Sequence, residues 1–155
     1  MKRRFVCRWV VLLLVSALVY VSCKEDDDKE IPYGKLPAVS QQFLETYFPN
    51  VSVGRIDKSS DEPRYRVTLN NGFGVRFFAS GEWQEVDGNG NAIPYSMQLG
   101  LLPLKLLNYA GENFPAAEII VVSRQGAGYE IELNTVPETW IHIDAFDNIT
   151  VNTAE

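Results

Sequence analysis

The chain has 155 residues, with 14 lysines and arginines against 20 aspartates and glutamates, so its formal net charge is −6 at pH 7. This length suits one compact domain, or two small halves that share a core. Four of the basic residues lie within residues 1–22, and the remainder carries about −10 (−6 − 4). That acidity argues against nucleic acid as a partner, because phosphate binding requires a basic surface.

The N-terminus predicts export. A basic start precedes an apolar run from Trp9 to Val21, which one serine interrupts. The run has 13 residues (21 − 9 + 1), whereas a helix that spans a bilayer needs about 20. A short apolar segment behind a positive flank is typical of a secretory signal peptide, and we assign residues 1–22 to it.

The tripeptide "VSC" ends this segment and resembles the lipobox of bacterial lipoproteins, which implies that Cys23 is lipidated and becomes the first mature residue. An ordinary secreted protein with a free cysteine, or an uncleaved anchor, is the alternative. The stretch "CKEDDD" resembles the export signal of surface lipoproteins in Gram-negative gut bacteria. It implies an outer-membrane lipoprotein that faces outward, attached to the membrane only through Cys23, with a periplasm-facing anchor as the alternative.

Residues 23–35 open with an acidic block, Lys24 to Glu30, that holds five acids and two lysines. Such a segment buries little apolar surface, so we predict a solvated, flexible tether. The other cysteine, Cys7, leaves with the signal peptide. The mature chain therefore has no pair of thiols for a disulfide and no cysteine nucleophile.

The rest of the sequence contains a repeat. "LPAVSQQFLETYFP" at residues 36–49 matches "LPLKLLNYAGENFP" at residues 102–115, an offset of 66. Downstream, "YRVTL" of the first copy corresponds to "YEIEL" of the second, and "FFASGEW" corresponds to "IDAFDNI". We predict a first repeat over residues 36–87, a linker over 88–101 and a second repeat over 102–155.

Each repeat predicts a helix followed by an antiparallel β-meander. Pro37 and Pro103 suit a first helical turn, and Pro49 and Pro115 end the helices. The alternation in "YRVTL" and "YEIEL" is typical of strands buried on one face. The predicted fold is therefore α+β, a tandem duplication with the helices packed on one sheet face and the other face open.

The segments "LP…YFP", "YRVTLNNG" and "FFASGEWQEVD", with their echoes in the second repeat, resemble the PepSY-like, β-lactamase-inhibitor-like family of Gram-negative envelope lipoproteins. The resemblance covers Ile31 to Val151. It implies non-enzymatic binding modules, akin in shape to inhibitors that grip an enzyme with a concave sheet and to domains thought to restrain proteases. "NTVPETW" departs from "NNGFGV", so we expect one hairpin to differ between the repeats.

The residue inventory predicts no catalysis, no cofactor and no metal. His142 is the single histidine, and it shares a strand face with Trp140 and Asp144, where an acid beside a base suits proton transfer. No nucleophile motif accompanies it, so ligand contact or simple exposure on a strand are the other interpretations. "DGNGN" begins like a calcium loop, but Ala92 and Gln98 stand where that loop needs glycine and glutamate.

Alternation along the strands predicts the residues of the open face. In the first repeat these are Arg66, Arg76 and Phe78, and in the second they are Glu130, Glu132, Trp140, His142 and Asp144. The face would then be basic in one half and acidic in the other.

These charges have two interpretations: they solvate the face or pair across it, or they form a binding face for a protein partner. A glycan or small ligand stacked on Trp140 and Phe78 is the alternative to a protein. Trp83 lies either in the core, which we favour, or on the open face. The sequence does not indicate an oligomeric state.

Overall fold

The computed structural model describes residues 28–154, so the predicted signal peptide and Cys23 lie outside the described residues. Nine strands form one antiparallel sheet in which every strand pairs with its neighbours in the chain. The strands are β1 Lys29–Glu30, β2 Val53–Lys58, β3 Tyr65–Leu69, β4 Gly74–Phe77, β5 Trp83–Asp87, β6 Ile119–Gln125, β7 Gly128–Leu133, β8 Thr139–Ile143 and β9 Ile149–Thr153.

The predicted helices are confirmed as α1 Ala38–Tyr47 and a later helix at Leu104–Asn113. Both have 10 residues, follow a proline N-cap, and end where a phenylalanine N–H donates to the carbonyl four residues back at 2.8 Å. A proline as N-cap has no N–H of its own to satisfy, and the proline after each phenylalanine prevents the helix from continuing.

The prediction that residues 88–101 form only a linker is wrong, because they contain helix α2, Tyr95–Leu101. The later long helix, Leu104–Asn113, is therefore α3. Met97 and Leu101, four residues apart, put one side of α2 into the core at 1% and 8% exposure. The sequence did not predict this helix because turn residues precede Pro94 and because seven residues are too few to show a clear helical spacing of apolar residues.

The predicted tether is shorter than residues 23–35. From Lys29 onward the chain is ordered as β1, which pairs with the outer edge of β2, and as a 3₁₀ helix at Tyr33–Lys35. The Ile31 N–H donates to the Ile56 carbonyl at 2.9 Å. These bonds to β2 are long-range, so the local composition of the acidic segment gave no sign of them.

The two repeats carry corresponding elements at nearly constant offsets. A break in register lies between Val53 and Arg55 on β2, and the same break lies between Ile119 and Val121 on β6, 66 residues later. Strand β5 of the first repeat pairs directly with β6 of the second. The repeats therefore share one sheet.

The core lies between the sheet and the helices, and Trp83 belongs to it, as favoured from the sequence. Its side chain is 6% exposed and its ring stacks on those of Phe43 and Tyr129, each with a centroid distance of 6.3 Å. The Arg124 guanidinium lies 4.7 Å from its ring centroid. Among residues 28–154 no helix is long and apolar enough to cross a membrane.

The β4–β5 turn contacts the start of α1 through a glycine that accepts no side chain. Gly81 has φ +88°, and a Cβ there would lie 2.6 Å from the Pro37 Cβ. The hydroxyl of Ser40, which is fully buried, donates to the Gly81 carbonyl at 2.7 Å. This contact fixes the helix against the sheet.

We predict that Gly81→Ala destabilises the fold by about 2–4 kcal/mol, because positive-φ strain adds to a backbone displacement. Gly72→Ala is the matched control, with φ +93° but no atom within 4 Å of the added Cβ; it should cost about 1 kcal/mol. Urea unfolding of both variants measures the difference, and equal losses would contradict the role of the Pro37 contact.

Candidate functional site

The sheet face opposite the helices carries two rows of side chains that run in register across the strands. We call the longer one the central row. It crosses all nine strands as Glu30, Asp57, Arg66, Arg76, Glu85, Ser123, Glu130, His142 and Thr150.

The second row lies two residues along each strand from the central row. It consists of Arg55, Thr68, Gly74, Asp87, Val121, Glu132, Trp140 and Asn152. Side chains two residues apart on a strand share a face. The two rows therefore define the open face, and they contain Arg66, Arg76, Glu130, Glu132, Trp140 and His142 of the predicted set.

The predicted basic half is wrong, because each arginine there has an acidic partner. Arg66 pairs with Asp28 at 2.7 Å, and Arg55 pairs with Asp57 at 2.8 Å. Arg76 pairs with Glu85 of β5 at 3.0 Å. Strands β1 to β4, with Asp28, thus present three arginines and three acids, which include Glu30. That half is neutral, and its exposed pairs add little stability.

The acidic half is present and extends further than predicted. Glu85 and Asp87 of β5 lie on the face together with Glu130 and Glu132 of β7, and strand β6 runs between the two pairs. Simple alternation from the buried Trp83 would place the two β5 acids on the core side. The register break between Arg76 and Phe77 skips one residue of β5, so the acids lie on the open face instead. Burial raises the pKa of Glu85, with Asp87 and Glu132 acting in the same direction and Arg76 opposing them.

Glu132 is perturbed in the same direction. Burial raises its pKa, the side-chain hydrogen bond from Trp140 opposes that shift, and the charges of Glu138, Asp87 and Glu130 add to it. Trp140 itself is half-buried and stands directly opposite Glu132 in the ladder. The β5–β8 part of the face therefore holds four acids, two on β5 and two on β7, without a lysine or arginine of its own in either row.

The central row does not form a catalytic triad. Its order is Ser123, Glu130, His142, so the acid stands between the hydroxyl and the imidazole. Two strand spacings separate Ser123 from His142, about 10 Å at the backbone. A nucleophile and its base must lie within hydrogen-bond reach. The arrangement therefore favours contact over proton transfer, with His142 half-buried beside Glu130 and Thr150.

Two predicted face residues lie apart from the rows. Phe78 follows the end of β4, half-buried, with its N–H donating to the Glu82 carbonyl. Asp144 follows β8, where its carboxylate accepts from the Phe146 and Asn148 N–H groups at 2.8 and 2.9 Å. These bonds stabilise the β8–β9 turn, which includes Asp147 at φ +64°. The Asp144 carboxylate therefore stabilises this turn.

The "DGNGN" segment forms a turn. Asp87 Oδ1 accepts from the Asn89 N–H at 2.7 Å, and the Asn91 N–H donates to the Gly88 carbonyl. Within residues 28–154 no group of three or more His, Cys, Asp or Glu side chains is arranged to hold a metal ion.

Cavities differ sharply between the two sides of the sheet. On the open face, a cavity of about 120 Å³ lies between Glu85, Ser123 and Trp140. On the helix side, a groove of about 670 Å³ lies between α2 and α3 and includes Tyr95, which is 65% exposed. The sequence did not predict this groove, because the groove depends on α2.

Two carboxyl groups should give opposite dependences of stability on pH. The raised pKa of Glu132 means that the folded state holds its proton more tightly, so its charge costs stability at neutral pH and the cost disappears as the pH falls. The pKa of Asp144 is lowered by hydrogen bonds from Asn148, so its contribution is present at neutral pH and is lost on acidification.

We therefore predict that Glu132→Gln is more stable than the native chain at pH 7 and that the difference narrows toward pH 4. Asp144→Asn, the matched control, should be less stable at pH 7, and its difference should also narrow as the pH falls. Chemical denaturation at several pH values measures both. A Glu132→Gln variant that is less stable than the native chain at pH 7 would contradict the assignment.

The family model described as "Putative beta-lactamase-inhibitor-like, PepSY-like" matches the chain twice, over residues 19–77 and 63–150. A search of curated proteins gave no significant match. The two matches overlap and together extend over most of the sequence.

Solved structures share the fold. A "putative calcium-regulated periplasmic protein" from Bacteroides thetaiotaomicron is 28% identical with a TM-score of 0.71, covering 82% of this chain and 98% of its own. A "putative periplasmic protein from DUF2874 family" from Bacteroides vulgatus is also 28% identical with a TM-score of 0.71, covering 83% and 99%. A third, a periplasmic protein of unknown function from the same species, is 22% identical with a TM-score of 0.70, covering 81% and 98%. With family matches in both repeats and this architecture, the chain belongs to the PepSY-like, β-lactamase-inhibitor-like family.

Proposed function

We propose that this chain is an exported, non-catalytic binding module of the cell envelope, whose open sheet face holds a protein partner. The observation that carries the proposal is the pair of in-register rows of mainly polar side chains on the sheet face that the helices leave open. A protein bound there would be restrained or inhibited if the open face covers its active site or its own binding surface. The duplicated repeats provide the width of the face.

The dimensions of the face favour a macromolecule. Eight strand intervals of about 4.8 Å give a width of about 38 Å, and strands of about five residues give a height of about 16 Å. The product, about 600 Å², approaches the roughly 800 Å² that each partner buries in a standard interface. The 120 Å³ cavity on this face is smaller than the roughly 300 Å³ at which small-ligand sites begin.

The charge pattern would set the choice of partner more than the strength of binding. Arg66 and Arg76 are paired within the face, but their side chains are 47% and 48% exposed and free to exchange partners. Complementary charges accelerate association and reject wrong partners. Trp140 and Glu85 are half-buried, so packing holds part of this surface in place between the exposed charges.

Placement in the envelope is part of the proposal. The similar solved structures are named as periplasmic proteins, and the N-terminal segment has the form of an export signal. We propose that Cys23 carries the lipid, that the anchor lies in the outer membrane, and that the domain faces outward. A linker from Cys23 to β1 of only a few residues would then hold the sheet edge close to the membrane.

A small-ligand role is the second candidate, and the groove between α2 and α3 favours it. Its volume of about 670 Å³ falls within the range of ligand sites, about 300–1,000 Å³. Tyr95, Gln98 and Asn108 line it and offer stacking and hydrogen bonding. A glycan stacked on Trp140 of the open face has less support, because the cavity there is small.

We predict that charge reversal on the open face abolishes partner capture without unfolding the domain. Residues 24–155 would be immobilised and exposed to envelope and secreted proteins, beside the Arg66→Glu, Arg76→Glu variant. The matched control is Lys35→Glu, Lys58→Glu, which changes the net charge equally at two exposed sites outside both rows. Circular dichroism and the melting temperature verify the fold of each variant.

Retention of one protein by the native domain and by the control, with loss by the open-face variant, is the expected result. Equal retention by all three would contradict the open face as the site. If no protein is retained, a thermal-shift screen of glycans and small molecules, with Tyr95→Ala as the test of the groove, decides the second candidate.

A further inference from the structure

The outer edge of β9 offers unpaired backbone groups. The Ala154 N–H donates to the Glu138 carbonyl, and the Asn148 carbonyl accepts from Asp144. Alternate residues of a strand point their backbone groups the same way, so residues 150 and 152 also face β8. Ile149, Val151 and Thr153 therefore direct their N–H and C=O groups away from the sheet, where no strand of residues 28–154 pairs with them.

The first repeat shows what covers the equivalent edge. Strand β5 corresponds to β9, since Trp83 pairs with Phe77 as Ile149 pairs with Ile143. The outer edge of β5 is covered by the antiparallel strand β6. Val86 of β5 stands opposite Val122 of β6, and both are 0% exposed.

The counterpart residue on β9 lacks that cover. Val151 pairs with Ile141 of β8 just as Val86 pairs with Val75 of β4, which makes the two valines equivalent. Val151 is nevertheless 36% exposed. The difference arises because no described strand lies beyond β9.

A groove lies beside each edge, and the two grooves differ in what lines them. Between α1 and β5, a groove of about 340 Å³ is lined by Val39 and Phe43, and the neighbouring strand β6 contributes the Arg124 side chain, which lies over the Trp83 ring. Between α3 and β9, an equivalent groove of about 420 Å³ is lined by Leu104, Lys105, Asn108, Tyr109, Glu112 and Ile149. Leu104 there is 60% exposed.

The opposite edge of the sheet does not accept a strand in the same way. Its outermost strand is β1, two residues that pair with one end of β2, with Glu30 opposite Asp57 and Lys29 opposite Lys58. Short, charged strands at a sheet edge discourage further pairing. Head-to-tail growth from β9 of one copy onto this edge of the next is therefore less favourable than the meeting of two β9 edges, each five residues long.

We propose that two copies of this chain associate through β9, antiparallel about a two-fold axis at Val151. Ile149 of each copy then pairs with Thr153 of the other, and the two Val151 residues pair on the axis. All three outward-facing residues of each strand become hydrogen-bonded, with about six bonds in three pairs.

The flanking helices fit this arrangement. The axis brings the two α3 helices side by side and antiparallel above the joined edges, so that Leu104 of both copies covers apolar surface. Lys105 and Glu112 lie seven residues apart on the groove side of α3. Antiparallel helices place Lys105 of one copy near Glu112 of the other, which is a self-complementary charge pattern.

Cysteine cross-linking tests the register. Residues 24–155 contain no cysteine, since Cys7 and Cys23 both precede them. Val151→Cys should form a disulfide-linked dimer under mild oxidation, because residues facing each other on an axis lie about 5.5 Å apart between Cα atoms. Val136→Cys is the control, a fully exposed loop position away from the axis. Equal cross-linking of both variants would contradict the proposal.

Proline substitution tests the edge itself. Val151→Pro removes an N–H that faces outward, so the fold should survive while dimer affinity falls about tenfold or more. Thr150→Pro removes an N–H that bonds to β8 and should destabilise the monomer instead. Sedimentation equilibrium gives the mass in solution, and thus the monomer–dimer equilibrium, of the native chain and of each variant. A native chain that stays monomeric at high micromolar concentration, or a dimer that Val151→Pro leaves intact, would overturn the proposal.

The proposed dimer uses the edge strand β9 and not the open face. Failure of the dimer would leave the proposed partner-binding role untouched, and failure of partner capture would leave the dimer untouched.

Discussion

The pairing of β5 with β6 is the interaction on which the rest of the structure depends. It joins two repeats that are each only a helix and a four-stranded meander, too small to bury a sufficient core alone. Val86 and Val122 meet there, fully buried, in the middle of the sheet. Because of this seam the helices of both repeats share one core, and the side chains of the open face stay in register from the first strand to the last.

The register breaks in the sheet decide which side chains the open face presents. The break between Arg76 and Phe77 brings Glu85 opposite Arg76, so the arginine is neutralised by the neighbouring strand. The face therefore changes from neutral to acidic at β5, close to the seam, and not between a basic and an acidic half. Burial beside like charges raises the pKa values of Glu85 and Glu132, which marks this region as the electrostatically costly part of the surface.

The two edges of the sheet have different chemistry. At one edge β1 is short and charged and covers β2, although its sequence resembles a tether. At the other edge β9 is five residues of mainly β-branched side chains, "ITVNT", with exposed outward groups. Exposed edges of this kind are a liability in proteins, which usually cover or charge them. The asymmetry follows from the repeat. The last strand of the first meander, β5, pairs with β6 of the second, whereas no described strand follows β9, the last strand of the second meander.

The sequence by itself determined the elements whose signals are local. Prolines at both ends placed α1 and α3, strict alternation placed β3 and β7, and the 66-residue offset predicted the repeat. Six of the eight residues that alternation predicted for the open face lie in its two rows, including Trp140 and His142. Only the tertiary structure decided the pairing of each arginine, the phase of β5, the ordering of β1 and α2, and the role of Asp144 in a turn. These depend on contacts between residues far apart in the chain or on a single register break, and local periodicity carries no information about either.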